Sequence, residues 1–445
     1  MHTQYGVTQL RIVPPLDPDF RPAILRMRGG KGVHVEVAFE RSVDSISRAV
    51  AVIPHFAALE RWLKFLLWSR GAHRIHFAGP REWCDQLRRH YAESATGRFD
   101  ADIMGRKIYE RPFEIVWSNE LPAAREQSAP LGGHLKGCRI GFDLGASDRK
   151  VAAVIDGESV FTEEVPWDPR SQSDPQWHFD QINDSLKRAA EHLPRVDAIG
   201  GSAAGVYVNN QVKVASLFRG VPEDLFAKRV KGLFSELKRA WNDVPFEVVN
   251  DGEVTALAGA MALKTNGVLG ISMGSSQAAG YVTPDGKITS WLNELAFAPI
   301  DYNPSGPVDE WSGDYGCGVQ YFSQQGVGRL IPKAGLPLRD DLPLPEKLVE
   351  VQKAMAAGDE RACRIYETIG ICFGYAVAHY AQFYDFKHLL ILGRVTTGHG
   401  GAVIIREAQR VLSAEFPHLE IAFHIPDEKE KRHGQAIAAA SLPVI

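Results

Sequence analysis

The sequence predicts an α/β protein of two similar lobes around a cleft, preceded by a separate α+β module. Three observations carry this. A run of three strands, a helix and a further strand begins after residue 137 and recurs after residue 266. Two copies of one supersecondary unit suggest two lobes. The segment AAREQSAPLGGHLK at 123–136 is rich in small and polar residues, has no hydrophobic period, and reads as a linker. Finally, 445 residues exceed what one ordinary hydrophobic core organises. The expected layout is an N-terminal module over 1–122, a linker over 123–136, a first lobe over 137–265 and a second over 266–445.

Each element follows from its pattern. In the module, HVEVAFERS and HRIHFAG read as strands, while ALERWLKFLLWSR and REWCDQLRRHYAES carry apolar residues three and four apart, as helices do. After the linker, GCRIGFDLG, RKVAAVID and SVFTEEV read as consecutive antiparallel strands with turns at Gly145–Asp148 and Asp156–Gly157. HFDQINDSLKRAAEHL is helical and DAIGGSAAG is a strand. In the second copy GVLGISMG, AAGYVTP and GKITSWL supply three strands, followed by long helices and the strand HLLILG.

Bulk properties exclude several classes. A net charge of −4 and a pI near 6.4 give no electrostatic footprint for nucleic acid or an anionic membrane. No stretch reaches the length of a membrane span, and the first twenty residues lack the layout of a signal peptide. Five scattered cysteines without a CxxC pair suit reduced thiols, so a cytoplasmic protein is expected. The N-terminal module shows no helix–turn–helix spacing, and ALERWLKFLLWSR reads as a core helix packed within the protein.

Three glycine-bearing turns follow β-type runs. At Asp143-Leu144-Gly145-Ala146-Ser147, backbone N–H groups could form an anion nest with Ser147 as an added donor. Asp143, being negative, could hold Mg²⁺ through water; the alternative is an ordinary hairpin. Gly274-Ser275-Ser276 offers close approach to a triphosphate tail, or again a plain hairpin. Gly393-Arg394, between a strand and a helix, leaves room for a flat base or ribose. Between them FEVVNDGEVTALAG delivers Asn250 and Asp251 to a strand end where a helix begins. Asp251 could be a helix cap, or the carboxylate that takes the proton of an attacking hydroxyl in phosphoryl transfer.

In this order these segments resemble the ROK family, the sugar kinases and sugar-responsive repressors of the actin-like ATPase (ribonuclease H-like) fold, from Arg139 to the end. IGFDLGASDRKVAAVID is similar to the family's first phosphate motif, ISMGSSQAAGYV to its second, HLLILGRVTTGHGG to its adenosine motif, and GQAIAAASL to its closing helix. VNDGEVTALAG resembles the segment carrying the catalytic aspartate, which implies Asp251 as general base and Asn250 as a substrate contact. The resemblance implies ATP and Mg²⁺ as cofactors, a sugar or polyol as acceptor, and a homodimer. It also leaves open a non-catalytic sensor of sugar or nucleotide.

The acceptor half departs from the family. Of its Glu-x-x-His pair, Glu294 is kept and Phe297 replaces the His. Only Cys317 survives of the cysteine cluster, with Glu310 and Ser312 at two ligand positions, so no structural zinc is expected. Val319 stands where the family has a second Glu. The loop bearing Asp309, Glu310 and Asp314 reads as a solvated turn, or as a substitute grip on hydroxyls or a cation. Trp291 and Trp311 could stack on a sugar, or simply pack.

Overall fold

Alternating apolar residues in VHVEVAFERS bury one face of a strand, and the N-terminal sheet grows from it. The computed structural model describes residues 10–27, 32–126, 128–129, 132–426 and 428–445. Strands β1 (Val33–Ser42) and β2 (Ser45–Ile53) pair antiparallel; helix α1 (Phe56–Arg70) follows, then β3 (Arg74–Ala78) and helix α2 (Arg81–Glu93). Strand β4 (Glu114–Trp117) completes the order β2-β1-β3-β4. Nearly every residue of α1 is buried, its charged ones included, as a core helix requires.

The chain divides into two units: one from the described residues of Met1–Gln127, Ile271–Ala279 and Ser290–Ile425, the other from those of Ser128–Gly270, Gly280–Thr289 and Pro426–Ile445. The N-terminal strands and helices therefore share a unit with 290–425. Residues 127, 130 and 131 of the expected linker lie outside the described residues, as do 1–9 and 28–31. The remaining linker residues carry pairing of their own: Arg125 bridges Ile46, and Ser128–Ala129 pairs antiparallel with Ile288–Thr289.

The second unit holds strands β5 (Cys138–Leu144), β6 (Asp148–Ile155) and β7 (Glu158–Pro166), helix α3 (Pro175–Ala190), strands β8 (Ala198–Ala203) and β9 (Phe246–Asn250), and helix α4 (Asp251–Leu263). The sheet order is β9-β8-β5-β6-β7. The first three strands are antiparallel, as the turns predict, and β8 and β9 add parallel to β5. The core beneath is apolar, with Phe142, Phe234 and Phe246 stacked or tilted at centroid distances near 6 Å.

In the repeat, strands β10 (Val268–Met273) and β11 (Gln277–Val282) form as expected, but the third strand is only Ile288–Thr289. The chain leaves the sheet there because Ser290 and Trp291 turn to partners in the first unit: Ser290 Oγ is 3.0 Å from Ser45 Oγ, and Trp291 Nε1 donates to Glu126. Helices α5 (Gln324–Ala334), α6 (Leu344–Ala356) and α7 (Glu360–Tyr380), strand β12 (His388–Leu392), helix α8 (His399–Glu415) and strand β13 (Ala422–His424) complete the first unit. Helix α9 (Glu428–Ala440) returns to the second.

Glycine makes that return possible. A Cβ on Gly141 would lie 1.8 Å from the Ala436 carbonyl oxygen, and one on Gly200 1.7 Å from that of Ala439. Backbone meets backbone there, so no side-chain adjustment relieves the clash. Gly200→Val is expected to cost roughly 3 kcal/mol or more by overpacking, read as a lower midpoint in urea unfolding. No helix among the described residues is long and apolar enough to cross a membrane.

Candidate functional site

Two carboxylates meet in the second unit. Asp143 ends β5 and is buried; its Oδ1 accepts a 2.6 Å hydrogen bond from Ser202 Oγ on β8. Lys150 Nζ lies 3.7 Å from Asp143 Oδ2 and 3.0 Å from Asp148 Oδ1. Asp251 opens α4, but it is not the cap. Asn250 caps the helix, its Oδ1 accepting from Gly252 N at 2.7 Å while its amide donates to the Gly205 carbonyl at 2.7 Å. Asp251 is thereby left at the first helical position, where the amide end of the helix favours negative charge. Its Oδ1 accepts from Gly252 N at 3.0 Å, which orients the carboxylate.

Burial, and then the charge of Asp143, push the Asp251 carboxyl up to about 6. Burial also raises Asp143, against Lys150 and Ser202. A negative charge on Asp143 disfavours a second one on Asp251, and Lys150 supplies the positive charge that offsets the burial of Asp143. Gln435, on α9, donates to the Asp251 carbonyl and to Thr255 Oγ1, tying the closing helix to the start of α4.

The first turn is closed by Gly145 N donating to the Asp148 carbonyl, and Trp167 donates to the carbonyls of Gly145 and Ser147. Among the described residues, the Ala146 and Ser147 amides have no protein acceptor. The exposed Ser147 hydroxyl donates to Asp148 Oδ2.

The second turn lies in the first unit. Gly274 N donates to the Ser276 carbonyl, and the Gly274 carbonyl accepts from Gln324 N, holding the first turn of α5 against it. Ser275 and Ser276 are exposed, and their hydroxyls have no partner among the described residues. In the same unit Gly393 has φ +98°, and a Cβ there would sit 2.5 Å from the Met273 carbonyl. Only glycine lets β12 and β10 approach this closely. Arg394 is exposed, its carbonyl accepting from Gln352 and Thr397. Arg394, Thr397 and Gln352 border a cavity of about 860 Å³, lined also by Leu342, Leu348 and Val349. Its size suits a small-molecule ligand.

Glu294, also in the first unit, is half-buried, and its backbone N–H donates to the Trp68 carbonyl at 3.0 Å. Trp291 is taken up by packing, with the Arg70 guanidinium 3.1 Å from its ring centroid. Trp311 is 56% exposed. The acidic loop is only partly solvated: Glu310 is exposed, but two of its carboxylates depart from the expectation. Asp309 and Asp314 are buried, because Asp309 accepts from Ser312 and Asp314 is ion-paired to Arg61 and Lys64. Among the described residues no group of three or more His, Cys, Asp or Glu is arranged to hold a metal ion.

Sequence reasoning missed Ser202, Lys150, Gln435 and the α6 wall of the cavity. Lys150 was recoverable: once the turn at Gly145–Asp148 is placed, hairpin register sets it opposite Asp143. The α6 wall carried no such signal, since an apolar Val349 on a helix reads as core.

An antiparallel triplet extended by parallel strands, with one carboxylate on the first strand and another where a strand meets a helix, is the arrangement of the actin-like ATPase fold. Within it, this chain has the ROK-type fold. No family model matches the sequence, and no curated protein matches it. Among solved structures it is similar to the ROK hexokinase from Thermus thermophilus, with a TM-score of 0.55 and 16% identity over 69% of this chain and 98% of that one. It is also similar to a ROK family glucokinase from Streptomyces griseus in complex with glucose and AMPPNP (TM-score 0.53, 19% identity, 69% and 99% covered). A ROK family transcriptional regulator, a homologue of the E. coli MLC protein, matches at a TM-score of 0.54 and 17% identity, with 69% and 79% covered.

Proposed function

We propose that this protein is an ATP-dependent carbohydrate kinase that phosphorylates a hydroxyl of a sugar or polyol. The observation that carries the reading is the state of Asp251: a half-buried carboxylate at a helix start, relieved of capping by Asn250 and raised to about 6. A general base works best with a pKa near the working pH. Gly252 N–H holds Oδ1, leaving Oδ2 to take the proton of the acceptor hydroxyl. Glu294 and Asn250 would orient the acceptor's other hydroxyls. The unpaired amides of Ala146 and Ser147, next to Gly145, and the free hydroxyls of Ser275 and Ser276, next to Gly274, would bind phosphate oxygens. The cavity beside Gly393 and Arg394 would take the nucleoside.

The carboxylates fit Mg²⁺, which favours one or two carboxylates together with phosphate oxygens and water. Asp143 would hold it through water, and when bound it supplies neutralisation of phosphate charge. The structural similarity to a hexokinase and a glucokinase supports this reading.

The test is ADP release from Mg·ATP against hexoses, amino sugars, N-acetyl sugars and polyols. Release that depends on one acceptor class is expected. Because Asp251 must be ionised to act, and its pKa in the folded state is raised, kcat/KM should be full well above pH 6 and fall as pH drops through about 6. A rate flat down to pH 4.5 would remove Asp251 from the role. A sugar- or nucleotide-binding sensor is the second reading, supported by the match to a transcriptional regulator. Silence across the panel with ATP binding retained would favour it.

A further inference from the structure

Helix α1 lies more than two hundred residues ahead of Glu294 in sequence, yet it makes three kinds of contact with the segment 293–317 inside the first unit. Its last-turn carbonyls, which a helix leaves without internal partners, accept from that segment: Ser69 from Asn293 N and Trp68 from Glu294 N, each at 3.0 Å. The Trp68 indole stacks on Phe297 at a centroid distance of 4.4 Å, and its Nε1 donates to Asp100. One turn earlier, Lys64 Nζ lies 2.6 Å from Asp314 Oδ2 and 3.2 Å from Asp100. Arg61 grips both oxygens of Asp314 at 3.0 and 2.8 Å, reaches the Tyr315 carbonyl, and is held from behind by Glu60.

This cluster is an expensive way to fill space. Lys64 and Asp314 are 1% and 2% exposed, and a buried ion pair generally stabilises no better than apolar residues of the same volume. What charges add is location, since each must find its partner or remain buried alone. Residues 301–317 form turns and isolated bridges with no long strand or helix, so their place depends on such outside anchors.

We infer that α1 is the positioning element of the acceptor side: its carbonyls fix Glu294, and Arg61 and Lys64 fix Asp314, so the N-terminal segment sets the geometry in which an acceptor is held. This rests on the reading of Glu294 as an acceptor contact. Trp68, Lys64 and Arg61 are positioning residues, touching the acceptor-binding segment rather than the acceptor.

The experiment is amide hydrogen exchange on the full chain, wild type against Lys64→Met and Trp68→Phe, with steady-state kinetics and Lys64→Arg as the conservative control. Exchange across 293–317 should speed up by about tenfold or more in Lys64→Met, with β5–β7 unchanged. The acceptor KM should rise by on the order of tenfold while the ATP KM holds, and Lys64→Arg should restore most of both. If Lys64→Met does not accumulate folded, Trp68→Phe decides by the same readings at smaller amplitude. Unchanged exchange at 293–317 in the folded variants would overturn the inference, as would equal rises in both KM values. Should the wild type transfer no phosphoryl group, the kinase reading falls and the exchange measurement still decides whether α1 positions this segment.

Discussion

Asp251→Ala is expected to lower turnover by about 10²–10⁴-fold, the usual worth of a positioned general base, while nucleotide affinity stays close to that of the wild type. The structure separates this residue from the helix start it opens. Asn250 makes the capping bond to Gly252 N and a second bond to the Gly205 carbonyl, so an alanine at 251 leaves the cap intact. The substitution also removes a half-buried carboxylate whose pKa is raised by burial and by the charge of Asp143. The variant should therefore unfold at the same or a higher temperature than the wild type. ADP release, nucleotide titration and a thermal melt on one preparation make the comparison. Substantial turnover in a folded variant that still binds ATP would remove Asp251 from the chemistry.

The second large effect concerns stability. Lys64→Met should cost about 3–5 kcal/mol, the penalty of removing one partner from a buried charge pair. The ammonium sits between Asp314 and Asp100. Without it Asp314 keeps Arg61, but Asp100 keeps only the Trp68 indole. Burial already holds the Asp100 carboxyl up at about 6, whereas Lys64 and Arg61 outweigh the burial of Asp314 and set its carboxyl down at about 2. Equilibrium urea unfolding measures the loss. Adding Asp100→Leu to the same chain should recover a large part of it, because the stranded charge is then gone as well. A loss below about 1 kcal/mol in the single variant would show the cluster to be relaxed by solvent.

The sequence made some of this readable and hid the rest for a physical reason. The three antiparallel strands Cys138–Leu144, Asp148–Ile155 and Glu158–Pro166 were legible because alternation and tight turns are local properties. Asp251 was legible because a strand ending where a helix begins fixes a position at the carboxyl end of the sheet. Gly393 was legible as a place where backbone must pass close to backbone. The contacts of α1 with Asn293, Glu294 and Asp314 were not, since they join residues more than two hundred positions apart and leave no periodic trace. For the same reason Asp309 and Asp314 of the acidic loop read as solvated. Nothing near Asp314 in sequence announces that Arg61 and Lys64 will bury it. The short third strand of the repeat failed in the same way, its continuation drawn off by Ser45 and Glu126.

The placement of α9 bears on how the protein comes into being. Strands β5 and β8 carry Gly141 and Gly200 so that the backbone of this helix can lie against them. Residues 290–425, which belong to the other unit, are synthesised in between. A nascent chain has thus made the whole five-stranded sheet long before it makes the helix that covers one face of it. Domains fold as units during synthesis at roughly 5–20 residues per second, so that face waits uncovered for several seconds or more while the other unit is made. The cell must shield an apolar, glycine-lined surface through that interval. The unit whose five-stranded sheet is complete by Asn250 is therefore sealed only when α9 has been made, after residues 290–425 of the other unit.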